Sequence, residues 1–470
     1  MTRASEPTSA SGATQEPEAA RRWRGPLALA LLFVAVVGPV VQEYTAPTAP
    51  RYALAAALWE HGTIELDRYD AIVFVDRLEL DGHLYSDKAP GQPFMSVPAY
   101  ALATALGADP ALELRVRGDL GVWSVTAWSS LVPAVALVLL MAKAARRMGE
   151  QAALVGAAGV AFGTLVLPYS AQLYGHLLGS ALGFGAWRLL WVGAPTVRRT
   201  LAAGLLAGLA VTVEYQLAVV VLVLVGWILI RHPRRILPFA IGGLPAAAAL
   251  AAYQWALLGS PFSSSYSQKP AHEEASPVVT GIPDPIQALE ILFGSRGVLL
   301  FTPIVACGIW GLVRLAREDR GARDEAIVGL VVFGGFFLLQ AGWPNPWGGE
   351  MPGPRYLIPA LPFLALGIAR AWTGAPRLVA ALLAVSAFSM SWPLLARHLV
   401  PDGGWLIESQ LTDVNIVGFM PTLFTMSLGA LGWVVHAGLV VAAARHLERV
   451  ARQQDRPATG SPTPAVGVPD

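Results

Sequence analysis

Acidic side chains stand at the boundaries of apolar segments in this 470-residue chain. Glu43 directly follows the first long apolar run. Asp87 and Lys88 precede Ala-Pro-Gly and a further apolar run in YSDKAPGQPF. A carboxylate at such a boundary can have a shifted pKa, and groups with shifted pKa values cluster at functional sites. We therefore take Glu43 and Asp87 as candidate functional acids.

Two arginines lie in glycine-containing segments that lead into apolar runs. Arg296 occurs in LFGSRGVLLFTP, and Arg355 follows Gly-Pro in GWPNPWGGEMPGPRYLIPALPF. Contact with lipid headgroups is one reading of these arginines, as an interfacial belt is of Trp347 and Tyr356. A rigid loop that holds Arg355 at headgroup depth also suits the phosphate of a lipid-linked group. Glu350 belongs to the same loop and is a supporting candidate.

Two further polar residues lie within apolar stretches. Glu214 occurs in GLAVTVEYQLAVVV, where an isolated carboxylate is costly and often marks a functional site. His176 occurs in YSAQLYGHLLG, and a lone histidine there is more often a hydrogen-bonded core group than a ligand or base. We count both as supporting candidates, together with Arg51 and Tyr52 of the amphipathic stretch RYALAAALWEHG.

The composition is that of an integral membrane protein. Charged residues make up 14% of the chain, against roughly 25% in soluble domains, and the mean hydropathy is +0.52. The formal net charge of +1 argues neither for nor against an acidic partner, and we expect no nucleic-acid partner. Cys307 is the single cysteine and excludes an intramolecular disulfide. Walker, Rossmann, HExxH and GxSxG motifs do not stand out.

Apolar length and the distribution of Lys and Arg predict the membrane topology. Residues 1–25 and 446–470 are predicted to be disordered cytoplasmic tails. Residues 26–445 are predicted to form an all-α polytopic membrane domain with about twelve spans and both termini inside. The predicted spans are 26–42, 120–142, 152–168, 169–191, a hairpin over 201–230, 236–257, 298–315, 326–340, 357–372, 378–395 and 422–444.

A long first outer loop, 43–119, follows the first span. We expect it to carry a helix on the membrane surface at RYALAAALWEHG and a juxtamembrane helix over 94–106. Its acids Asp67, Asp70 and Asp76 are predicted to be solvated loop charges. The hairpin over 201–230 places its tip, 213–216, on the same outer face and brings Glu214 there.

The first loop resembles that of a known family. RYALAAALWEHGTIELD followed by GHLYSDKAPGQPFMSVPAYALA is similar to the first outer loop of the GT-C membrane glycosyltransferases, which include protein O-mannosyltransferases and aminoarabinose transferases. That loop has an acid after the first span, an Arg-Tyr pair, and a Lys/His-Pro-Pro box before a juxtamembrane helix. DKAPG stands where the box would be. WGGEMPGPRYLIPALPF and LLFGSRGVLLFTP resemble segments of an uncharacterised bacterial branch.

The resemblance implies transfer of a sugar from a polyprenyl-phosphate donor to an extracytoplasmic acceptor, with inversion. The acceptor would be a glycan, a lipid or a protein, and the protein would lie in the plasma membrane. An acid of the first loop would be the base: Glu43 is closest to the expected position and Asp87 is its rival. The typical family acid is an Asp nearer the Arg-Tyr pair, and YTAPTAP has no acid there.

Positive charge would stabilise the leaving phosphate in such a reaction, and Lys88, Arg296 and Arg355 are the candidates to supply it. The requirement for a divalent cation, Mg²⁺ or Mn²⁺, stays open, and no other cofactor is expected. A transporter or flippase of lipid-linked sugars is the alternative function. Such a protein would more often carry charges at mid-membrane and paired broken helices, and we find no clear internal repeat.

Overall fold

The computed structural model describes residues 18–42, 45, 47–73, 76–108, 119–191, 193–265, 281–343, 345–396, 399–401 and 403–454. Helices dominate these residues. The first ten are α1 (Glu18–Val37), α2 (Ala49–His61), α3 (Gly91–Ala105), α4 (Leu120–Thr126), α5 (Val132–Ala145), α6 (Glu150–Gly163), α7 (Val166–Tyr169), α8 (His176–Trp191), α9 (Val197–Val213) and α10 (Ala218–Arg231).

The second half of the chain continues the bundle. Its helices are α11 (Ile236–Leu258), α12 (Pro285–Phe293), α13 (Val298–Phe301), α14 (Ile304–Glu318), α15 (Arg323–Ala341), α16 (Leu364–Gly374), α17 (Pro376–Leu395), α18 (Leu406–Val417), α19 (Leu423–Leu428) and α20 (Leu431–Gln454). A 3₁₀ helix, Arg355–Phe363, leads directly into α16.

Five helical segments of the described part are long and apolar enough to cross a membrane, and a bent pair makes a sixth. The pair bends by 91° between Phe301 and Ile304. About twelve spans therefore stays a prediction. The five segments are Leu120–Met148, Pro233–Leu258, Arg323–Ala341, Arg355–Gly374 and Pro376–Leu395, and the pair is Pro285–Phe301 with Ile304–Glu318.

The first outer loop forms a small folded unit. Helices α2 and α3 form in the two stretches where helices were predicted, and Tyr52 of α2 packs edge-on against Tyr100 of α3 at 5.5 Å between ring centroids. A two-stranded antiparallel hairpin lies between them, with β1 (Arg77–Leu80) and β2 (His83–Ser86). The all-α prediction was therefore wrong for this segment.

The hairpin has a sequence signal that an all-α interpretation overlooks. Asp81 and Gly82 connect the strands, and both have positive φ, 52° and 85°. A two-residue turn of this kind matches the twist of the flanking strands and favours Asp-Gly. The pair Asp-Gly therefore accounts for the reversal of the chain.

The predicted hairpin tip coincides with a break in the helices. Helix α9 ends at Val213, Glu214 is extended with φ −150° and ψ 118°, and a 3₁₀ turn, Tyr215–Leu217, leads into α10. The start of α3 packs directly on this break. A methyl group on Gly91 would lie 2.6 Å from the carbonyl oxygen of Thr212, so the close approach requires glycine.

Ion pairs tie helices together at the end of the bundle that holds the start of α15. Arg147 pairs with Glu325, and Arg231 lies 2.6 Å from Asp324. Arg370 pairs with Glu318 near the end of α14. These arginines include those whose positions predict the cytoplasmic side.

Candidate functional site

A cleft with about 510 Å³ of empty space lies where the first loop, the break after α9 and the end of α15 meet. Six of the predicted site residues line it. The lining consists of Arg51, Lys88, His176, Glu214, Tyr215, Gln216, Leu339, Trp343, Arg355 and Tyr356.

Arg355 lines the cleft, and some of its hydrogen-bond donors have no partner in the described residues. Its Nη2 donates to the Tyr356 hydroxyl at 3.2 Å. Its Cζ lies 5.5 Å from the centre of the Tyr174 ring and 5.2 Å from that of Tyr356. Nε and Nη1 are buried and have no hydrogen-bond partner among the described residues. Unsatisfied buried donors are costly, so this guanidinium is suited to hold an anion.

Arg51, by contrast, is engaged by a carboxylate. Its Nη2 donates to Glu214 Oε1 at 3.2 Å, and its Nη1 donates to the Pro47 carbonyl at 2.6 Å. Gln216 Nε2 donates to the other carboxylate oxygen at 3.1 Å. The side chains of Arg51 and Glu214 are 6% and 7% exposed, so this is a buried ion pair. Its geometry fixes the Glu214 carboxylate.

His176 lies beside this carboxylate without a hydrogen bond to it. Nδ1 is 3.6 Å from Glu214 Oε1. The imidazole stacks on Tyr174 at 5.6 Å with an interplanar angle of 6° and meets Tyr356 edge-on at 6.0 Å. A methyl group on Gly175 would lie 2.7 Å from Glu214 Oε1, so the carboxylate can approach only because residue 175 is glycine.

Lys88 is held by two carboxylates at another part of the wall. Nζ lies 3.0 Å from Asp87 Oδ2 and 3.1 Å from Asp76 Oδ1. The Asp87 side chain is fully buried, and its backbone carbonyl accepts from Ser265 Oγ at 2.7 Å. The prediction of Asp76 as a solvated loop charge was wrong, because this carboxylate is 20% exposed and pairs with Lys88.

Arg296 lies outside the cleft lining. Its Nη1 donates to the carbonyls of Gly349 at 3.2 Å and Met351 at 3.0 Å, and its Nη2 donates to that of Pro401 at 2.6 Å. The guanidinium also lies 5.7 Å from the centre of the Trp347 ring. These contacts tie the loop before Arg355 to a later outer segment. They favour a positioning role over the predicted contact with phosphate.

Two other predicted residues, Glu350 and Tyr52, lie outside the cleft lining. Glu350 is exposed, and its backbone carbonyl accepts from the Val400 amide at 3.1 Å. Tyr52 is fully buried in the core of the first loop. Glu43 lies outside the described residues.

Three residues of the site escaped the sequence interpretation. Tyr174 lies between two guanidinium groups, with Arg51 Cζ at 5.4 Å from its ring centre and Arg355 Cζ at 5.5 Å. Gln216 supports Glu214, and Asp76 supports Lys88. Tyr174 and Gln216 could have been found from the sequence, because they lie two positions from His176 and Glu214 in the chain. Asp76 has no local signal, because the hairpin brings it to Lys88.

One group of side chains in the first loop offers metal-ligand atoms close together. The ligand atoms of Glu65, Asp67 and His83 lie within 4.8 Å of one another. His83 Nδ1 is 2.7 Å from Asp67 Oδ2. The hydrogen bond with His83 and that from the Leu84 amide lower the pKa of Asp67, and the same pairing with Asp67 raises the pKa of His83. The group is not part of the cleft lining.

Two solved structures of ArnT share the fold of this chain. ArnT from Cupriavidus metallidurans in the apo state matches with a TM-score of 0.50 and 14% identity, over 90% of this chain and 72% of that one. The same protein bound to undecaprenyl phosphate matches with a TM-score of 0.52 and 14% identity, over 90% and 74%. The archaeal oligosaccharyltransferase AglB from Archaeoglobus fulgidus gives a TM-score of 0.48 at 12% identity, over 91% and 60%.

No protein-family model matches the sequence, and no curated protein matches it. At 14% identity the similarity to ArnT concerns the fold. The apolar helices and this similarity agree with the resemblance seen in the first loop. The chain is a multi-pass helical membrane protein with the fold of the GT-C glycosyltransferases.

Proposed function

We propose that the protein is a membrane glycosyltransferase that moves a sugar from a polyprenyl-phosphate donor to an acceptor hydroxyl. The observation that carries this proposal is Arg355, whose Nε and Nη1 are buried at the cleft wall without a hydrogen-bond partner in the described part of the chain. A phosphate oxygen is the strongest acceptor for such donors. The solved structure of ArnT with undecaprenyl phosphate supports a lipid phosphate as this ligand.

The reaction needs one displacement at the anomeric carbon. The acceptor oxygen forms a bond to that carbon as its hydroxyl proton passes to a base. The bond from the anomeric carbon to the phosphate oxygen breaks, and polyprenyl phosphate leaves with the electron pair. Arg355 would stabilise the charge on the leaving phosphate, with Lys88 nearby as a second cation. A single displacement inverts the configuration of the sugar.

The acids of the first loop have different parts in this proposal. Asp87 is buried against Lys88, so it would hold the lysine in place for the donor. Glu43 would be the base, as the resemblance of the first loop implies. The acceptor class, the sugar and any divalent cation stay open. We place the reaction at the outer face of the plasma membrane, because the cleft is formed by predicted outer segments.

Binding of undecaprenyl phosphate by the purified protein in nanodiscs tests the proposal. We expect saturable binding in native mass spectrometry and none of comparable strength for undecaprenol, which lacks the phosphate. Mass spectrometry of the lipid that copurifies would identify the sugar. Equal binding of the two lipids would contradict a phosphate site.

Transfer itself separates an enzyme from a transporter. Cells that lack the protein should accumulate a polyprenyl-phosphate sugar in their lipid extract, and membranes with the wild-type protein should consume it with release of polyprenyl phosphate. Movement of the intact lipid across a vesicle membrane without release of polyprenyl phosphate would favour the transporter.

A further inference from the structure

His176 is a buried polar side chain that the proposed phosphate contact does not use. Its exposed fraction is 1%, and it lines the cleft. Neither ring nitrogen has a hydrogen-bond partner among the described residues. A buried polar group without a partner is destabilising, and such groups are rare in native proteins. A partner supplied by a ligand would remove this cost.

The aromatic neighbours fix the imidazole. Tyr174 stacks on one face at 5.6 Å, and the rings of Tyr169 and Tyr356 meet it edge-on at 5.7 Å and 6.0 Å. These contacts keep the ring from rotating towards another protein group. The ligand must therefore come to the ring within the cleft.

Glu214 determines what kind of group fits. Its Oε1 lies 3.6 Å from Nδ1, too far for a hydrogen bond, but its charge favours the tautomer with the proton on Nδ1. Nε2 of that tautomer is a hydrogen-bond acceptor. A phosphate diester has only acceptor oxygens, so the anion at Arg355 cannot satisfy Nε2. A hydroxyl can, because it donates.

The two positions are adjacent in the cleft. Tyr356 contacts both groups: its hydroxyl accepts from Arg355 Nη2 at 3.2 Å, and its ring meets that of His176. Tyr174 likewise packs against both, at 5.5 Å from Arg355 Cζ. A ligand that joins an anionic group to a hydroxyl-bearing ring would contact both ends of this surface.

We infer that His176 and Glu214 form a hydroxyl-binding subsite, in which a hydroxyl of the transferred sugar donates to His176 Nε2 while the phosphate lies at Arg355. This inference rests on the proposed function. It requires that the sugar carry a free hydroxyl at the position that faces His176. Affinity for the sugar is then separable from affinity for the lipid phosphate.

Binding of two kinds of lipid tests this separation. The probes are undecaprenyl phosphate and its mannosyl, glucosyl and arabinosyl derivatives, measured with the protein in nanodiscs. We expect the wild type to bind at least one sugar lipid about tenfold more tightly than undecaprenyl phosphate, the order of one hydrogen bond to an otherwise unpaired buried group. His176→Phe should lose this preference and bind undecaprenyl phosphate as the wild type does. His176→Gln should recover part of it.

Monodeoxy analogues of the preferred sugar lipid locate the contact. One analogue should bind the wild type more weakly than the parent lipid, whereas His176→Phe should bind the two equally. His436→Phe is the matched control, because His436 is buried but already bonded to the Ala35 carbonyl at 3.0 Å. It should keep the sugar preference.

The outcomes separate this inference from the proposed function. A wild type that binds no undecaprenyl phosphate would overturn both. A wild type that binds it but prefers none of the three sugar lipids would overturn the subsite alone, as would a His176→Phe protein that keeps the preference. His176→Phe is used only if its thermal transition shows that it folds. If it does not fold, binding of the monodeoxy analogues is compared between the wild type and His176→Gln instead. If every monodeoxy analogue lost the same amount of affinity relative to the parent lipid, in the wild type and in His176→Gln alike, the contact with His176 would be contradicted.

Discussion

Arg355 differs from the other two cations of the cleft in its partners. Arg51 pairs with Glu214, and Lys88 lies between Asp76 and Asp87. Arg355 donates one hydrogen bond, to Tyr356, and packs against the Tyr174 ring, and no carboxylate of the described residues forms an ion pair with it. Its guanidinium is therefore the one best placed to pair with an anion from outside the protein. Replacement of Arg355 is therefore the most direct test of the proposed phosphate site.

Replacement of Arg355 should weaken binding of the lipid phosphate. We expect Arg355→Ala to raise the Kd for undecaprenyl phosphate by about tenfold or more, since hydrogen bonds to charged groups contribute about 1.5–3 kcal/mol. Arg355→Lys should recover only part, because lysine cannot reproduce the planar fork. Arg370→Ala is the control: this arginine pairs with Glu318 away from the cleft and should bind as the wild type does. Normal affinity in Arg355→Ala would make the residue an interfacial anchor.

The two first-loop acids should differ in the step that they affect. Glu43→Gln should abolish transfer, by about 10²-fold or more, with donor binding retained, because the amide cannot take the acceptor's proton. Asp87→Asn should also impair donor binding, since Lys88 loses a charged partner 3.0 Å away. The measurements are release of polyprenyl phosphate and the Kd for undecaprenyl phosphate. Full activity in Glu43→Gln would move the base to Asp87, and full activity in both variants would move it to Glu214 or Glu350.

The site depends on close packing between elements. The start of α3 contacts the last turn of α9 at Gly91 and Thr212, and this contact holds the Asp87–Lys88 turn near Glu214. Gly175, directly before α8, lies against the carboxylate of Glu214 in the same way. Two turns and two helix ends thus define the relative positions of the cleft's charged groups.

An added methyl group at these contacts should therefore affect both stability and binding. We expect Gly91→Ala and Gly175→Ala each to destabilise the protein by about 1–3 kcal/mol, the usual effect of overpacking, and to weaken binding of undecaprenyl phosphate. Gly334→Ala in α15 is the control, because the space around Gly334 is open. It should leave binding unchanged and raise the thermal midpoint, since alanine favours helix. Wild-type affinity in both test variants would show that the cleft does not need these contacts.

The basic residues predict the orientation of the whole molecule in the membrane. Arg147, Arg231 and Arg370 form ion pairs at one end of the bundle, and the cleft is formed by the predicted outer segments. The positive-inside rule predicts that the end with these arginines lies in the cytoplasm. We therefore expect the cleft to face outward, where a lipid-linked sugar and an envelope acceptor would meet.

Cysteine labelling tests this orientation. Glu79 and Glu350 are exposed in predicted outer segments, and Arg377 is exposed before α17 on the predicted inner side. We expect Glu79→Cys and Glu350→Cys to react with an impermeant thiol reagent in intact cells, and Arg377→Cys to react only after lysis. Background should be low because Cys307 is the single native cysteine and is buried. Labelling of Arg377→Cys in intact cells would reverse the topology.

Local signals in the sequence determined the class of protein and several of its landmarks. Low charge and long apolar runs indicated a polytopic helical membrane protein. The basic residues on both sides of 201–230 predicted a hairpin with its tip at 213–216, and the helices break there at Glu214. Helices were also predicted in the stretches of the first loop that form α2 and α3. These features depend on residues close together in the chain, since hydropathy, helix ends and turns are set within a few residues.

Only the tertiary structure decided which polar groups meet. Glu214 pairs with Arg51 from 163 positions away, and Lys88 gains Asp76 because a hairpin folds back. Arg296 resembled Arg355 in its glycine-containing surroundings, yet its guanidinium bonds to backbone carbonyls outside the cleft lining. The sequence favoured a hydrogen-bonded core histidine at His176. In the described part of the structure, neither of its ring nitrogens has a hydrogen-bond partner. Such differences arise because the partner of a buried polar group is chosen by helix packing over long sequence separations, which local composition does not encode.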